Sequence, residues 1–496
     1  MKNYTKKAVS GVSMVFSMGI LASVIAYFLR IVMVRALSPE EYGLFTAVFT
    51  FVMFFLFFRD LGMGQALSKH IPEFIVNQEP GKIKSGIFFV TGFQLLTSLI
   101  LGFIFFLLNN FLSANYFKNP NSKSLLTIII FYIVGSVLFR MYKAIASGYQ
   151  EMKLYSIFEL LKNIAVLLLF ILFFNLGFGL NAAALAWTVG CYLIIILTTP
   201  VVLRIAPILT VKINNFWPTA KRIMSYSIPL ITMGIAGKII SSIDTLMLTY
   251  YMPLTAVGIY NVVLPSAMIF LDFGSSVSAV LFPMVSELWA RSDVHRMSEG
   301  LKLLHKYLFF IVIPPALGII AFSKFLLLTF FGVVYAEGAL ALQILVIGML
   351  IYVVATVNIS ILSAIGKAGI TAKITVVSAV FNIALNLLLI PILGIEGAAL
   401  TTAFSYAVSF IWSTIILLRY IPIKLPINIW LKLIFAGFVF YSIVKYLQIN
   451  LQLNPSLKLI VSISIGLLVY GLIAYAYQII DISEIKKYYH LLIRKD

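Results

Sequence analysis

The chain has 496 residues, of which 62% are hydrophobic and only 11% are charged, and its mean hydropathy is +1.06. A soluble domain is nearer half apolar and a quarter charged, so this composition excludes a soluble protein and indicates an integral membrane protein. The single cysteine, Cys191, excludes disulfides and a cysteine metal site, and the four histidines have no metal-ligand spacing.

Long apolar runs fill the chain from one end to the other, and about 20 such residues span a bilayer as an α-helix. We predict an all-α integral membrane protein with about fourteen transmembrane helices. The first is an uncleaved span, because its apolar run is too long for a signal peptide and no small-x-small cleavage site follows it. In chain order the predicted spans lie near Ser10–Val34, Tyr42–Ile71, Gly86–Leu108, Leu125–Ala144, Leu154–Phe174, Ala182–Leu203, Tyr226–Tyr250, Gly258–Leu281, Leu303–Phe322, Ala339–Ala364, Ile374–Leu393, Gly397–Leu418, Leu431–Leu447 and Leu459–Gln478.

Positive charge collects in alternate gaps between the predicted spans. With the N-terminus on the inner side, and with residues near a span end counted with the adjoining gap, 26 of the 36 Lys and Arg residues are inner, 6 are outer and 4 lie further within spans. The positive-inside rule then predicts that both termini are cytoplasmic. The membrane in which we expect the protein is the cell membrane. The net charge of +19 is therefore mainly a topology signal, and it does not indicate a nucleic-acid partner.

Short motifs recur in the same order about 215 residues apart. The paired motifs are Pro39–Phe45 with Pro253–Tyr260, Asp60–Gly62 with Asp272–Gly274, and Leu176–Gly177 with Leu393–Gly394. We predict two pseudo-symmetric six-helix lobes of one orientation, residues 1–210 and 211–420, with a substrate path between them. Residues 421–496 would then form two additional helices and a short basic cytoplasmic tail. Chance similarity among apolar segments rich in Gly and Pro is the alternative.

Several ionisable residues fall inside the predicted spans, where an ionised side chain costs ~2.5–3.5 kcal/mol near the bilayer centre. Each therefore needs a partner, water or a function. The functional interpretation is a hydrated cavity that binds a charged substrate or couples transport to an ion; the alternative is snorkelling or private ion pairs. Glu159 and Lys162 are three residues apart on one helix face, and we interpret them as a structural pair. Lys238 and Asp272 lie deep in their spans and favour the functional interpretation.

Three segments carry a family resemblance. Leu37–Phe45, Asp60–Leu67, and Ile243–Leu246 followed by Gly258–Tyr260 resemble segments of the polysaccharide transporters. These are the oligosaccharidyl-lipid flippases of the multidrug/oligosaccharidyl-lipid/polysaccharide (MOP) superfamily. The resemblance covers essentially the whole chain, and its motifs are loose individually but fairly specific in their order.

The resemblance implies a flippase that moves a lipid-linked oligosaccharide, or a polysaccharide repeat unit, across the cell membrane by alternating access. Carried over by position, the cavity cations that would bind the head-group phosphate are Arg30, Arg59 and Lys238. The residues for ion coupling or gating would be Asp60, Asp244 and Asp272. Lipid II flippases of the superfamily have an arginine-rich cavity, whereas the embedded charges here are few and balanced, which favours a different glycolipid.

The alternative function is a multidrug or small-molecule cation antiporter of the same superfamily, although such proteins usually have twelve spans. A membrane glycosyltransferase would need a sizeable outer loop or an acidic pair at the membrane surface, and a channel would need a Gly-rich re-entrant loop. We therefore predict that the protein is not an enzyme, with no catalytic residues, no metal site and no cofactor. Coupling of transport to a Na⁺ or H⁺ gradient is left open.

The partners predicted from this function are the lipid-linked glycan, membrane lipids, and a glycan polymerase or glycosyltransferases of the same pathway. The monomer is the expected functional unit. The sequence does not identify the sugar or the coupling ion.

Overall fold

The structure is a computed structural model that describes residues 2–206, 208–422 and 426–479, without the side chains of residues 2–16, 229, 230, 232 and 233. Within these residues the regular secondary structure is entirely helical, which confirms the predicted all-α membrane fold. The helices are α1 Lys2–Ala36, α2 Pro39–Asp60, α3 Met63–Val76, α4 Pro80–Phe111, α5 Ser122–Gly148, α6 Met152–Asn175, α7 Asn181–Ile205, α8 Phe216–Tyr251, α9 Leu254–Ala267, α10 Ile269–Ala290, α11 Val294–Phe330, α12 Ala339–Ala364, α13 Ala368–Tyr420, α14 Ile427–Asn450 and α15 Pro455–Ala476.

Twelve helical segments of the described residues are long and apolar enough to cross a membrane. One of them, α13, has 53 residues, and a straight helix of that length would measure about 80 Å. Its backbone leaves the helical conformation at Gly394 (φ 58°, ψ −127°), so α13 consists of two helices joined at a kink. The predicted seventh span corresponds to α8, which has 36 residues and is not among the twelve. The total of fourteen spans stays a prediction.

The second span ends earlier than predicted. We expected it to continue to Ile71, but α2 stops at Asp60 because Leu61 (φ 44°) and Gly62 (φ 69°) take left-handed conformations. A left-handed residue ends the run of helical hydrogen bonds, and α3 starts in a new direction. The short helix α3 is not one of the segments long enough to span the membrane.

The Ser-Pro-Glu-Glu motif starts α2. The Ser38 hydroxyl accepts a hydrogen bond from the Glu41 backbone N–H (3.2 Å), and the Glu41 carboxylate accepts one from the Ser38 N–H (2.9 Å). This reciprocal capping box satisfies two N–H groups that a helix start leaves unpaired, and Pro39 at the first helical position needs no N–H partner.

Two glycines bring the starts of α2 and α9 into backbone contact. A Cβ atom on Gly43 would lie 1.8 Å from the Leu254 carbonyl oxygen, and one on Gly258 would lie 2.6 Å from the Pro39 carbonyl oxygen. No side chain fits at either position without moving a helix. Gly43 and Gly258 occupy matching places in the repeated motifs, so the two copies of the motif cross at their shared glycine.

The chain divides into two compact units. Unit 1 contains the residues up to Val262 and the segment Ile383–Ala398, and unit 2 contains Val263–Asn382 and the residues from Ala399 onwards. Unit 1 packs α1 against α6, α5 against α7, and α2 against α8. In unit 2, α11, α14 and α15 share a core of buried apolar side chains that includes Phe440 and Tyr470. The predicted lobes 1–210 and 211–420 stay predictions.

Candidate functional site

Asp244 is a buried carboxylate on α8, the helix of the predicted seventh span, with 2% of its surface exposed. The Tyr260 hydroxyl on α9 donates a hydrogen bond to one carboxylate oxygen (2.6 Å), and the Asn386 side-chain amide donates to the other (2.7 Å). All three residues belong to unit 1. A desolvated carboxylate that accepts hydrogen bonds from a neutral hydroxyl and a neutral amide can take up a small hard cation or a proton.

Arg59 lies near the C-terminal end of α2 and is 3% exposed. Its Nη1 donates to the Ile133 carbonyl (2.8 Å) and to the hydroxyls of Ser136 (2.9 Å) and Ser98 (3.3 Å). These bonds fasten α2 to α4 and α5. Its Nε and Nη2 atoms are buried and have no hydrogen-bond partner among the described residues. The structure therefore places Arg59 inside unit 1, where it joins three helices.

Asp60, the next residue, points a different way and is half-buried. Its carboxylate accepts a hydrogen bond from the Gln94 side-chain amide (2.5 Å) and a longer one from the Gly64 backbone N–H (3.4 Å). Asp60 therefore bonds to a neutral side chain of α4, and its charge also interacts with that of Arg59.

Glu159 and Lys162 form the predicted structural ion pair on α6, and Lys143 of α5 completes it. One Glu159 oxygen contacts the Lys162 ammonium, and the other lies 2.8 Å from the Lys143 ammonium. Lys162 also lies 5.0 Å from the centre of the Phe139 ring, a cation–π distance. Both oxygens of this carboxylate are thus occupied by lysines of unit 1.

Three further cations of the predicted spans in unit 1, Arg30, Lys238 and Arg140, have fewer hydrogen-bond and ion-pair partners. The Arg30 guanidinium is half-buried, hydrogen-bonds to Tyr42 and lies 5.9 Å from the centre of the Tyr27 ring. Lys238 is half-buried and Arg140 is exposed, and neither side chain makes a hydrogen bond or ion pair with a described residue. Arg140 interacts electrostatically with both Arg59 and Lys238.

Asp272 lies in the first turn of α10, is exposed, and belongs to unit 2. Its carboxylate makes no hydrogen bond or ion pair within the described part of the chain. The other five predicted site residues, Arg30, Arg59, Asp60, Lys238 and Asp244, belong to unit 1. The structure brings together Asp244 with neutral donors, and it places Lys238 near enough to Arg140 for their charges to interact.

Unit 2 contains a buried polar group around a histidine at the start of the predicted ninth span. His305 lies in α11 and is 1% exposed. Its ring nitrogens are 2.7 Å from the Leu301 carbonyl oxygen and 3.0 Å from the Asn358 side-chain oxygen, and Asn358 donates to the Thr414 hydroxyl (3.0 Å). This chain of bonds joins α11, α12 and α13.

The sequence search missed the neutral polar side chains that hold the embedded charges. Tyr260, Gln94 and Asn386 each bond to a predicted site carboxylate, but we looked only for ionisable residues. A signal was present, since Gln94 and Asn386 interrupt apolar runs that otherwise read as membrane spans. Arg140 was missed because we counted it with the inner basic residues.

The chain belongs to the polysaccharide biosynthesis protein family, whose model matches residues 32–340, more than half of its length. It is 29% identical to the "Uncharacterized membrane protein MJ1068" of Methanocaldococcus jannaschii, covering 99% of this chain and 100% of that protein. It is also 26% identical to the "Probable low-salt glycan biosynthesis flippase Agl15" of Haloferax volcanii, covering 63% of this chain and 66% of the relative.

The fold is similar to that of a solved flippase. The structure described as "Lipid II flippase MurJ, inward closed conformation" aligns with a TM-score of 0.76 at 18% identity, covering 93% of this chain and 98% of that one. At this identity the likeness shows the shared fold. The protein is therefore a multi-pass membrane protein, and its fold is similar to that of a lipid II flippase.

Proposed function

We propose that the protein is a flippase that moves a lipid-linked oligosaccharide or polysaccharide repeat unit across the cell membrane. The observation that carries this proposal is the match to a polysaccharide biosynthesis family in a chain built from membrane-length helices. In the described residues, no connection between consecutive helices is longer than ten residues, so the function belongs within the bilayer. A relative and a solved protein of similar fold, both named as flippases, support the same function.

The proposed substrate contacts are the cations of unit 1. Lys238 is accessible and has no counter-ion among the described residues, so it is the first candidate for the head-group phosphate. Arg30 is half-buried and a second candidate. In the conformation described, Arg59 is held in the protein interior. It would attract the phosphate through its charge, or would contact it after its side chain had left these hydrogen bonds.

The proposed energy source is a Na⁺ or H⁺ gradient acting at Asp244. Charge on a buried carboxylate is costly in the bilayer, so binding of a cation or a proton there is favourable. Tyr260 connects Asp244 to α9, whose first turns cross α2 at Gly258 and Gly43. Cation binding at Asp244 would weaken the Tyr260 hydrogen bond and so alter the position of α9. Asp60 and Asp272 are the alternative coupling residues.

The cellular context follows from this function. We infer that the protein lies in the cell membrane with both termini in the cytoplasm and works as a monomer beside the glycosyltransferases or polymerase of its pathway. Transport would proceed by alternating access without covalent change in the substrate, so the protein would have no catalytic residue.

Reconstitution in lipid vesicles tests the proposal. A fluorescent glycan on a polyprenyl diphosphate is loaded in one leaflet, and its arrival in the other is measured with a membrane-impermeant lectin. We expect flipping above the rate of protein-free vesicles, and we expect a Na⁺ or H⁺ gradient to accelerate it. Asp244→Asn would flip without gradient dependence.

Two results of this assay would overturn parts of the proposal. No flipping with any polyprenyl-linked glycan tested would contradict the function. A gradient effect that persists in Asp244→Asn but is lost in Asp60→Asn or Asp272→Asn would move the coupling site away from Asp244.

A further inference from the structure

The connection between α4 and α5, residues 112–121, contacts the C-terminal end of α8. The Tyr116 hydroxyl donates a hydrogen bond to the Leu246 carbonyl oxygen (2.8 Å), and the Lys118 ammonium donates one to the Tyr250 carbonyl oxygen (3.2 Å). The Lys118 ammonium also lies 5.2 Å from the centre of the Tyr250 ring. The predicted topology puts this connection on the outer side of the membrane, and we call it the outer strap.

The Lys118 contact uses a carbonyl group that α8 leaves unpaired. A helix has no internal partner for its last four carbonyl oxygens, and α8 ends at Tyr251, so the Tyr250 oxygen is one of them. The partial negative charge at a helix C-terminus attracts a cation, so the Lys118 ammonium is favourable there. Lys118 itself has a φ of 51°, a left-handed conformation that is uncommon for residues with a side chain. The outer strap therefore bends at the residue that contacts the end of α8.

The outer strap is held in one conformation by its own contacts. Its first turn, Leu112–Tyr116, is π-helical, and the Phe117 side chain that follows is 1% exposed. The Ser113 hydroxyl donates to the Asn119 carbonyl (2.9 Å), and the Asn119 side-chain amide donates to the Glu40 carboxylate at the start of α2 (3.1 Å). A connection fixed to α2 in this way presents its two hydrogen-bond donors to α8 at a set position.

The outer strap and α8 come from different copies of the predicted repeat. Helix α8 falls in the second copy, residues 211–420, whereas α4, α5 and the outer strap fall in the first, residues 1–210. On α8, Asp244 accepts a hydrogen bond from Asn386 of the second copy, and the end of the helix accepts two from the outer strap. Every one of these residues lies in unit 1. The outer strap therefore fastens a helix of the second copy to the first copy.

We propose that the outer strap is a latch: it holds the outer end of α8 in this conformation, and it must release α8 before the substrate path opens to the outside. This part rests on the proposed function, in which the path opens to each side of the membrane in turn. Release of α8 breaks two hydrogen bonds and one cation–π contact. Each of these contacts is modest in energy, so the latch can open and close in every transport cycle.

Amide hydrogen exchange of the purified full-length protein in detergent tests whether the outer strap holds α8. The variants are Tyr116→Phe, which lacks the hydroxyl, and Lys118→Met, which has a side chain of similar length without the ammonium. The matched control is Lys123→Met, because Lys123 is an exposed lysine at the start of α5 whose side chain makes no hydrogen bond or ion pair with a described residue. Each protein is first checked for monodisperse elution and for its apparent Tm.

We expect Tyr116→Phe and Lys118→Met each to speed exchange in residues 246–251 about 5-fold, the factor that corresponds to one lost hydrogen bond. Lys123→Met exchanges as wild type. Exchange that is unchanged in both strap variants would overturn the latch. This measurement needs only correctly folded protein, so it also decides the proposal if the cysteine variants described next are not stable.

A covalent link tests whether release of α8 is needed for transport. Lys118→Cys and Tyr250→Cys are combined with Cys191→Ala, and the two new thiols are joined in vesicles by a short, reductively cleavable bis-maleimide. The control pair is Asn109→Cys with Lys123→Cys in the same background, because the Asn109 amide donates to the Lys123 carbonyl (3.2 Å) and both residues belong to the first copy. The linked fraction of each pair is measured by mass spectrometry.

We expect the link from the outer strap to α8 to stop glycan flipping in the linked fraction and its cleavage to restore flipping, while the linked control pair flips as before. Unchanged flipping in the strap-linked protein would overturn the latch, and so would an equal loss in the linked control pair. Wild type that flips no glycan, although Tyr116→Phe and Lys118→Met speed exchange in α8, would contradict the flippase proposal while the hold of the outer strap on α8 stands.

Discussion

Glu73 on α3 has the densest set of ionic contacts among the described residues. Its carboxylate lies 2.5 Å from the Lys69 ammonium, 2.9 Å from the His70 Nδ1 atom and 2.8 Å from the Arg222 guanidinium of α8. Hydrogen bonds from Lys69 and His70 lower the pKa of Glu73 to about 2. The carboxylate thus stays ionised at physiological pH and ties the short helix α3 to α8.

His70 gives this contact a pH dependence. It is 2% exposed, and burial lowers the pKa of its imidazole from the ordinary value of 6.5. A lowered histidine pKa means that the unfolded chain takes up the proton first, so its contribution to stability is full above pH 6.5 and decreases as the pH falls below it. The Glu73 contribution is full above pH 4.5 and is lost only as the pH approaches 2.

We therefore predict that His70→Gln reduces the loss of thermal stability between pH 7.5 and pH 5.5. Wild type loses the His70 contribution over this range, whereas the neutral amide keeps a donor near Glu73 and does not titrate. The difference in apparent Tm between the two proteins is expected to change by on the order of 2 °C across the range, in detergent. If the apparent Tm of wild type and of His70→Gln changes by the same amount between pH 7.5 and pH 5.5, His70 is not the group that titrates.

At the scale of residues, the charged side chains within the spans could be identified from the sequence, but most of the side chains that hydrogen-bond to them could not. Asp244 and Lys238 are visible because an ionisable residue within an apolar run is rare. Tyr260 and Asn386 could not be assigned to Asp244, because they lie 16 and 142 residues away in the chain and meet it only through helix packing. The Glu159–Lys162 pair was predictable because both residues are local to one helix.

At the scale of elements, the crossing of α2 and α9 depends on two glycines. Replacing either glycine places a Cβ atom against a backbone carbonyl, at 1.8 Å for Gly43 and 2.6 Å for Gly258. Backbone cannot yield as a flexible side chain does, so the helices must separate. Because α9 also carries Tyr260, the hydrogen-bond partner of Asp244, separation of the two helices would also change the hydrogen bond at the candidate coupling site.

We predict that Gly43→Ala and Gly258→Ala each destabilise this conformation by about 1–3 kcal/mol, the usual cost of overpacking. The measurements are the apparent Tm in detergent and the flipping rate in vesicles, and both are expected to fall. The matched control is Gly92→Ala on α4, where a Cβ would meet no atom within 4 Å. If the Gly43 and Gly258 variants behave as Gly92→Ala does, the close crossing does not govern stability or transport.

Helix boundaries were predictable where a local cause sets them. The Ser-Pro-Glu-Glu motif predicts a helix start, and the structure has a capping box there. The end of α2 was not predicted, because Leu61 in a left-handed conformation is unusual for a leucine and the apolar pattern continues past it. The kink at Gly394 lies in the second copy of the Leu-Gly motif, whose first copy contains Gly177, and both glycines have positive φ.

At the scale of the whole molecule, composition was sufficient to predict a helical membrane protein, and the order of loose motifs was sufficient for the family. The substrate could not be inferred from composition and motif order, because proteins of one fold act on different substrates and differ in the side chains of their sites. The sequence analysis left a cation antiporter as the alternative to a flippase. The charges of unit 1 bear on that choice.

An antiporter for cationic drugs needs acceptors for positive charge along its path. In unit 1 the charged groups of the predicted spans that are at least partly accessible and have no ion pair among the described residues are three cations, Arg30, Arg140 and Lys238, and one carboxylate, Asp60. Positive charge is therefore in excess, and its repulsion of a cation is strong in a low-dielectric region. We therefore predict that the protein does not export cationic dyes, and that dye efflux from cells expressing it stays at the level of cells without it.

The control for this experiment separates absence of protein from absence of transport. The same cells are assayed for the amount of protein in the membrane, and vesicles made from the purified protein are assayed for glycan flipping. Gradient-driven dye efflux that disappears in Asp244→Asn would assign the protein to the antiporters. Glycan flipping without dye efflux would agree with the charge of unit 1, because a phosphate-bearing head group is attracted to the residues that repel the dye.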